Sequence, residues 1–246
     1  MQYTLLCLHG WGGTKESFAD LREALKGADI EILTPDLPGF GNEPEPKNPW
    51  NTDDYANWVL RWLQKHTESH TLKAMSCKLF LLGHSHGGRI AIKLVAEGKI
   101  KPDHLFLCAA AGIRHPRNIK RILGLTLAKT GKVFLRIPGL RALQPLGKKF
   151  LYRLVRVHDY ENASPVMRQT LMNVSAKDLR PILSNITVPT DIFWGEDDGM
   201  TPVSDARLMH RSIKGSRLHL YTGVRHRVHR DRAKEIAAII GMISAA

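Results

Sequence analysis

A serine lies between two glycines in the segment Gly83-His84-Ser85-His86-Gly87, directly after the apolar run Leu79–Leu82. The residues that follow, Arg89–Val95, carry apolar side chains at helical spacing. A serine at a sharp turn between a strand and a helix exposes its hydroxyl, and the glycines remove side chains that would collide with the neighbouring backbone. The segment therefore predicts a nucleophilic Ser85, with the helix N-terminus facing a developing oxyanion.

A second glycine-rich loop, Leu8-His9-Gly10-Trp11-Gly12-Gly13, follows the first apolar run of the chain. Hydrolysis of an ester or amide places negative charge on the carbonyl oxygen, and each backbone N–H aimed at that oxygen lowers the barrier by about 3–4 kcal/mol. We expect one such amide from His86 and the other from Trp11. Taken alone, the loop favours an ordinary strand-to-helix turn, so this assignment depends on the remaining motifs.

Two more polar segments follow later apolar runs. The first, Gly195-Glu196-Asp197-Asp198, supplies carboxylates that can orient a histidine and stabilise its imidazolium form. The second, Gly223-Val224-Arg225-His226, places a histidine between the last predicted strand and the last predicted helix. Histidine is the side chain best suited to move a proton near neutral pH. Serine, acid and histidine therefore follow one another along the chain, each after a strand.

The elements that must position these side chains alternate along the chain. Six apolar runs predict strands: Leu5–Leu8, Ile30–Leu33, Leu79–Leu82, Leu105–Ala110, Ile192–Trp194 and Leu218–Tyr221. Helical spacing predicts helices within Phe18–Leu25, Tyr55–Gln64, Arg89–Val95, Val203–Ile213 and Asp231–Ile240. This alternation predicts an α/β protein with a mostly parallel sheet of about six strands flanked by helices. The carboxyl ends of parallel strands share the edge at which such sheets bind ligands.

The alternation stops over residues 112–184, where helical spacing continues without convincing strands. We therefore predict a core of residues 1–111 and 185–246, with residues 112–184 inserted as a helical lid over the ligand-binding edge. The lid sequence is strongly basic, since no acidic residue lies between Asp103 and Asp159. The basic residues there are Arg114, Arg117, Lys120, Arg121, Lys129, Lys132, Arg136, Arg141, Lys148, Lys149, Arg153 and Arg156.

Three interpretations of this basic segment remain open. Its lysine and arginine stems can cover apolar helices while their charges stay in water. The charge can also attract an anionic lipid, a membrane surface or an acidic substrate. Nucleic-acid binding has the least support, because no recognised binding motif accompanies the charge.

The composition limits the class of protein. With 246 residues and 43% hydrophobic residues, the chain can bury a full core, and its formal charge is +13. It has no apolar run long enough for a transmembrane helix and no basic, cleavable leader, and its three cysteines show no metal-binding or redox spacing. We therefore expect a cytoplasmic protein with reduced cysteines.

On these motifs together the chain resembles the α/β-hydrolase superfamily over nearly its whole length. The motifs are the Trp11 loop, Asp36-Leu37-Pro38-Gly39-Phe40-Gly41, the Ser85 segment, Gly195–Pro202 and His226. Members usually place the triad acid three residues after the motif glycine, which implies Asp198 rather than Asp197. His229 is a minor alternative to His226 as the base.

The resemblance implies a serine hydrolase with Ser85, His226 and Asp198 as its catalytic residues. The expected reaction is acyl transfer through an acyl-enzyme, without a metal or organic cofactor, on a small carboxylic ester or thioester. A lactone, a carbon–carbon bond or cofactor-free haloperoxidase chemistry would use similar residues. A ligand-binding receptor on the same fold also remains open, because fold does not fix function.

Overall fold

The computed structural model describes residues 3–69, 78–115 and 163–245. In these ranges six strands form one sheet in which every neighbouring pair is parallel. The strands are β1 (Tyr3–Leu8), β2 (Ile30–Leu33), β3 (Lys78–His84), β4 (His104–Cys108), β5 (Thr190–Gly195) and β6 (Arg217–Tyr221). Their order across the sheet is β2-β1-β3-β4-β5-β6. The predicted α/β architecture and its six strands are confirmed.

Helices connect successive strands. Within the described ranges they are α1 (Ala19–Ala24), α2 (Thr52–Ser69), α3 (His86–Ala96), α4 (Pro165–Ala176), α5 (Val203–Ser212), α6 (Val228–Asp231) and α7 (Ala233–Ser244). Short 3-10 segments occupy Lys15–Phe18 and Arg180–Asn185. Four of the five predicted helices are present as α1, α2, α3 and α5, and the fifth is divided between α6 and α7. α2 begins earlier than predicted because the Asn51 side chain accepts hydrogen bonds from backbone amides in its first turn, a cap that hydrophobic spacing does not reveal.

The strand order reverses beside β1. The chain passes from β1 outward to β2 and then returns to the other side of β1 at β3. Leu8 at the end of β1 pairs with Gly83 of β3, so the loops that follow these two strands leave the sheet side by side. Such a reversal is where open parallel sheets bind ligands. It brings the loop carrying Trp11 next to Ser85.

The sheet centre and α3 form the core. β1, β4 and β5 are buried along their whole length, whereas the edge strands β2 and β6 are largely half-buried. Continuous apolar runs suit central strands because helices cover both faces. Every residue of α3 is buried, including Arg89 and Lys93. Lys93 pairs with Asp53 of α2 at 2.7 Å, which fixes α3, and hence Ser85 at its N-terminus, against α2.

The closing helix differs from the prediction. A single helix was expected over Asp231–Ile240, but the chain forms α6 and α7, separated at Arg232 with φ −128° and ψ 32°. The short α6 buries His229 against Phe18 and His84. Apolar periodicity does not detect this turn, because its principal buried side chain besides Val228 is a histidine.

Only the two ends of the predicted lid are described, because residues 116–162 lie outside the described ranges together with most of the basic segment. Ser164 caps α4 by accepting a hydrogen bond from the Met167 amide. The Thr170 hydroxyl accepts one from the Trp50 amide, so α4 packs on the loop that leads into α2. The lid itself therefore stays a prediction. No helix in the described ranges is both long and apolar enough to cross a membrane.

Candidate active site

Ser85 occupies a strained turn between β3 and α3. Its φ of 51° and ψ of −111° lie in a region of backbone conformation that residues other than glycine rarely adopt. Hydrogen bonds hold this conformation: the Ser85 amide donates to the Cys108 carbonyl at 3.1 Å, and the Ser85 carbonyl accepts from Ala111 at 2.9 Å. The serine hydroxyl is therefore presented by a backbone that neighbouring β4 fixes in place.

The flanking glycines are sterically required at this turn. A Cβ on Gly83 would lie 2.6 Å from the Gly87 carbonyl oxygen, and one on Gly87 would collide with the Leu8 carbonyl. Both obstacles are backbone atoms, which cannot move aside as a flexible side chain can. The geometry thus supports the prediction that the two glycines avoid backbone collisions.

A continuous chain of hydrogen bonds joins Ser85, His226 and Asp198. The Ser85 hydroxyl lies 2.9 Å from His226 Nε2, and His226 Nδ1 lies 2.7 Å from Asp198 Oδ2. With the serine donating to Nε2, the Nδ1–H donates to the carboxylate. Of the two adjacent aspartates, Asp198 is buried and Asp197 is exposed. The structure therefore brings together the three side chains that the sequence analysis selected.

The turn after β5 holds the Asp198 carboxylate. The Met200 and Thr201 amides donate to Oδ1 at 2.7 and 3.1 Å, and the Thr201 hydroxyl donates to Oδ2 at 2.7 Å. Burial alone would raise the pKa of Asp198, but the hydrogen bonds, first that of His226, outweigh burial and lower the pKa below its ordinary value. The carboxylate is thus ionised at neutral pH. The role of the Thr201 hydroxyl could not be predicted from the sequence, since many turns contain threonine.

Two further buried histidines support the loop of His226. His84 Nε2 lies 3.0 Å from the His226 carbonyl oxygen, so its N–H donates to that backbone group. The His229 ring packs against the His84 ring with centroids 3.7 Å apart and planes tilted by 32°. Burial lowers the pKa of His229 to about 3, and burial with the adjacent His229 lowers the pKa of His84 well below its ordinary value. Both rings are neutral, and His226 rather than His229 contacts Ser85.

Of the two predicted oxyanion donors, Trp11 lies on the loop after β1 and His86 is the first residue of α3. Within the described ranges, neither the Trp11 amide nor the His86 amide donates a hydrogen bond to the protein. The rings of Trp11 and His86 are in edge contact, with centroids 5.5 Å apart. A Cβ on Gly10 would lie 2.8 Å from His84 Nδ1, so the loop approaches the serine turn closely only because that residue is glycine. The arrangement leaves two N–H groups available beside Ser85.

The site offers no evident place for a metal ion. In the part of the chain that the structure describes, no group of three or more histidine, cysteine, aspartate or glutamate side chains could hold one. Cys7 and Cys108 are buried, and burial raises the pKa of each thiol. What the described residues offer chemically is a serine hydroxyl, an imidazole within hydrogen-bond distance of it, an ionised carboxylate and two amides.

The all-parallel sheet, the serine turn after β3 and the chain order of the site define an α/β-hydrolase. The chain belongs to the hydrolase family described as serine aminopeptidase, S33, whose model matches residues 1–233.

Curated proteins and solved structures agree with this assignment. Lipase 1 of Psychrobacter immobilis is 24% identical over 90% of this chain and 70% of its own length. A pimeloyl-[acyl-carrier protein] methyl ester esterase of Neisseria meningitidis is 26% identical over 94% of this chain and 90% of its own. The structure of an esterase from Exiguobacterium antarcticum superposes with a TM-score of 0.71 at 23% identity, covering 99% of this chain and 92% of the other.

Proposed function

We propose that this hydrolase cleaves carboxylic esters or thioesters through an acyl-enzyme on Ser85. The observation that carries the proposal is the unbroken hydrogen-bond chain from the Ser85 hydroxyl through His226 to Asp198. A serine nucleophile needs a base within hydrogen-bond distance, and the base needs a group that fixes its tautomer. Both distances are within that range without any rearrangement.

In the proposed mechanism the Ser85 oxygen attacks the ester carbonyl while His226 Nε2 takes the hydroxyl proton. The Asp198 carboxylate stabilises the imidazolium that forms, and the amides of Trp11 and His86 donate to the carbonyl oxygen as it becomes negative. His226 then gives the proton to the departing alkoxide or thiolate, which leaves the acyl group on Ser85. Water, deprotonated by His226, releases the acid and restores the serine.

The names of the relatives favour an ester substrate. One is named a lipase and the other a methyl ester esterase. The family description names an aminopeptidase, so an amide is a second candidate that shares the same acyl-enzyme step. Lactones and carbon–carbon bonds remain alternatives on the same three residues, and a ligand-binding receptor remains the alternative without catalysis. Location in the cytoplasm and contact of the basic segment with an anionic lipid stay predictions.

The decisive test follows hydrolysis of p-nitrophenyl esters from acetyl to long-chain, alongside an acyl thioester, a lactone and an aminoacyl p-nitroanilide. We expect turnover of esters and thioesters, and mass spectrometry of quenched enzyme should find the acyl group on the peptide containing Ser85. The Ser85→Ala protein should bind no acyl group. Ester turnover that persists in Ser85→Ala would rule out the proposed mechanism, and turnover confined to the lactone or the anilide would replace the substrate class.

Replacement of His84 by Phe should lower kcat for ester hydrolysis roughly ten- to a hundredfold and leave KM nearly unchanged. A phenyl ring can still stack on His229, but the His226 carbonyl loses its donor, and a displacement of about 1 Å at a reacting group can cost about a hundredfold. Steady-state kinetics of His84→Phe should be compared with those of His84→Gln, which keeps an N–H donor. Equal kcat in wild type and His84→Phe would show that this hydrogen bond does not position the base.

A further inference from the structure

The imidazole of His86 is buried without a hydrogen-bond partner. His86 is 4% exposed, its Nε2 is inaccessible to solvent, and neither ring nitrogen bonds to any residue in the described ranges. His9, which is equally buried, differs: its Nδ1 bonds to the Gly10 carbonyl at 2.8 Å and its Nε2 accepts from the Leu37 amide at 2.9 Å. The core can thus satisfy a buried histidine, as at His9, whereas His86 Nε2 has no partner, a property it shares with Nδ1 of His229.

An unsatisfied buried polar group is costly, by about 1–3 kcal/mol, and so calls for an explanation. Burial, followed by the nearby charge of Arg89, lowers the pKa of His86 to about 3. The ring is therefore neutral and has one N–H donor and one acceptor nitrogen. An apolar ring of the same shape would fill the space without the cost.

The location of this ring relates it to the proposed substrate. His86 directly follows Ser85, and its ring lies between the edges of Trp11 and Tyr55, with centroid distances of 5.5 and 4.7 Å. The Tyr55 hydroxyl donates to the Pro38 carbonyl, and His86 Nε2 has no hydrogen-bond partner although the two rings are in contact. Trp11 and His86 are also the residues whose amides would hold the ester oxygen. An acyl group bound there must lie close to their side chains.

We propose that the His86 imidazole contacts the acyl part of the substrate through a hydrogen bond, and that the enzyme prefers acyl groups carrying an uncharged oxygen near the carbonyl. The preferred substrate class is an ether- or hydroxyl-substituted acyl ester rather than a plain alkanoyl ester. This inference rests on the proposed function. It adds a polar subsite beside Ser85.

The test uses matched p-nitrophenyl esters that differ in one group. The 3-methoxypropanoate replaces a methylene of the pentanoate by an oxygen that can only accept a hydrogen bond. The 3-hydroxybutanoate replaces a methyl of the 3-methylbutanoate by a hydroxyl that can donate or accept. For each pair, the ratio of kcat/KM for the oxygen-containing ester to that for its hydrocarbon partner is measured in wild type, His86→Phe and His86→Gln.

We expect the ratio for at least one pair to be roughly five- to tenfold higher in wild type than in His86→Phe, the contribution of one neutral hydrogen bond. His86→Gln, which keeps a donor and an acceptor, should retain most of the preference. Comparing ratios cancels both the intrinsic reactivity of each ester and any general effect of the substitution. Thermal unfolding should show His86→Phe to be at least as stable as wild type, because it removes an unsatisfied group.

The outcomes separate this inference from the proposed function. Ester turnover with equal ratios in wild type and His86→Phe would overturn the His86 contact and leave the serine mechanism intact. If wild type hydrolyses none of the esters, the proposed function fails, and calorimetric binding of 3-methoxypropanamide and pentanamide then tests the contact alone. A preference for the ether that His86→Phe abolishes would support the contact, and equal binding of the two amides would overturn it.

Discussion

Replacement of Asp198 by Asn should lower kcat for ester hydrolysis by about 10⁴-fold, the loss typical of this substitution in a serine triad. The side chains have the same shape, but asparagine carries no charge to stabilise the imidazolium. Its amide can also donate to Nδ1, which would move the histidine proton to Nε2 and leave no lone pair for the Ser85 proton. The change therefore removes the base without removing any atom that contacts the substrate.

The matched control is Asp197→Asn, the same substitution one residue earlier. Asp197 is exposed, and the interaction that links it to the site is a backbone hydrogen bond from its amide to the Val224 carbonyl, which the substitution keeps. We expect its kcat to stay within about twofold of wild type, as for most surface substitutions. Single-turnover kinetics should place the loss in Asp198→Asn on acylation. A larger loss in Asp197→Asn than in Asp198→Asn would reverse the assignment of the acid.

The local parts of the site could be read from the sequence because each is encoded by adjacent residues. The glycines around Ser85 must be glycine wherever the turn occurs, and the strands on either side are continuous apolar runs. The family spacing from Gly195 selected Asp198 as the acid. Its carboxylate lies 2.7 Å from His226 Nδ1, within hydrogen-bond distance. The chain order of the motifs then determined which loops meet at the edge of the sheet.

The supporting contacts could not be predicted, because they join residues far apart in sequence. The hydrogen bond from His84 to the His226 carbonyl spans 142 positions, and no local pattern marks either end. Histidine on a short segment such as α6 gives no apolar signal, so the division between α6 and α7 was missed. The unsatisfied ring of His86 appears only once all its neighbours are placed.

A second cluster of hydrogen bonds between residues far apart in sequence lies away from Ser85, near the start of β5. Asp191 has a fully buried side chain and accepts hydrogen bonds from His104 Nε2 on β4 at 2.8 Å and from His219 Nε2 on β6 at 2.6 Å. Arg217 on β6 donates through Nε and Nη2 at 2.9 and 2.6 Å. One carboxylate therefore ties β5 to both of its neighbouring strands at the end of the sheet opposite Asp198.

Burial alone would raise the pKa of Asp191, but the hydrogen bonds from His104, Arg217 and His219 outweigh it and hold the pKa well below its ordinary value. The folded state therefore favours the ionised form more than the unfolded chain does. This contribution to stability is fully present above the unfolded pKa of about 3.9 and is lost as the pH falls through the folded pKa.

Asp191→Asn should lower the free energy of unfolding by about 3 kcal/mol at neutral pH, because it leaves the four N–H groups that bind the carboxylate facing an uncharged amide in a buried position. For a chain of this size, that loss corresponds to a fall in Tm of roughly 6–12 °C. Urea unfolding from about pH 3 to pH 7 should show the difference from wild type shrinking below about pH 4, because the carboxylate of the unfolded wild-type chain protonates there while the folded one stays ionised. Asp20→Asn, which breaks the exposed pair with Arg230, should cost less than about 1 kcal/mol.

Because Asp191 lies at the far end of the sheet, kcat of the folded Asp191→Asn variant should match that of wild type. A loss of kcat without a loss of stability would contradict a purely structural role.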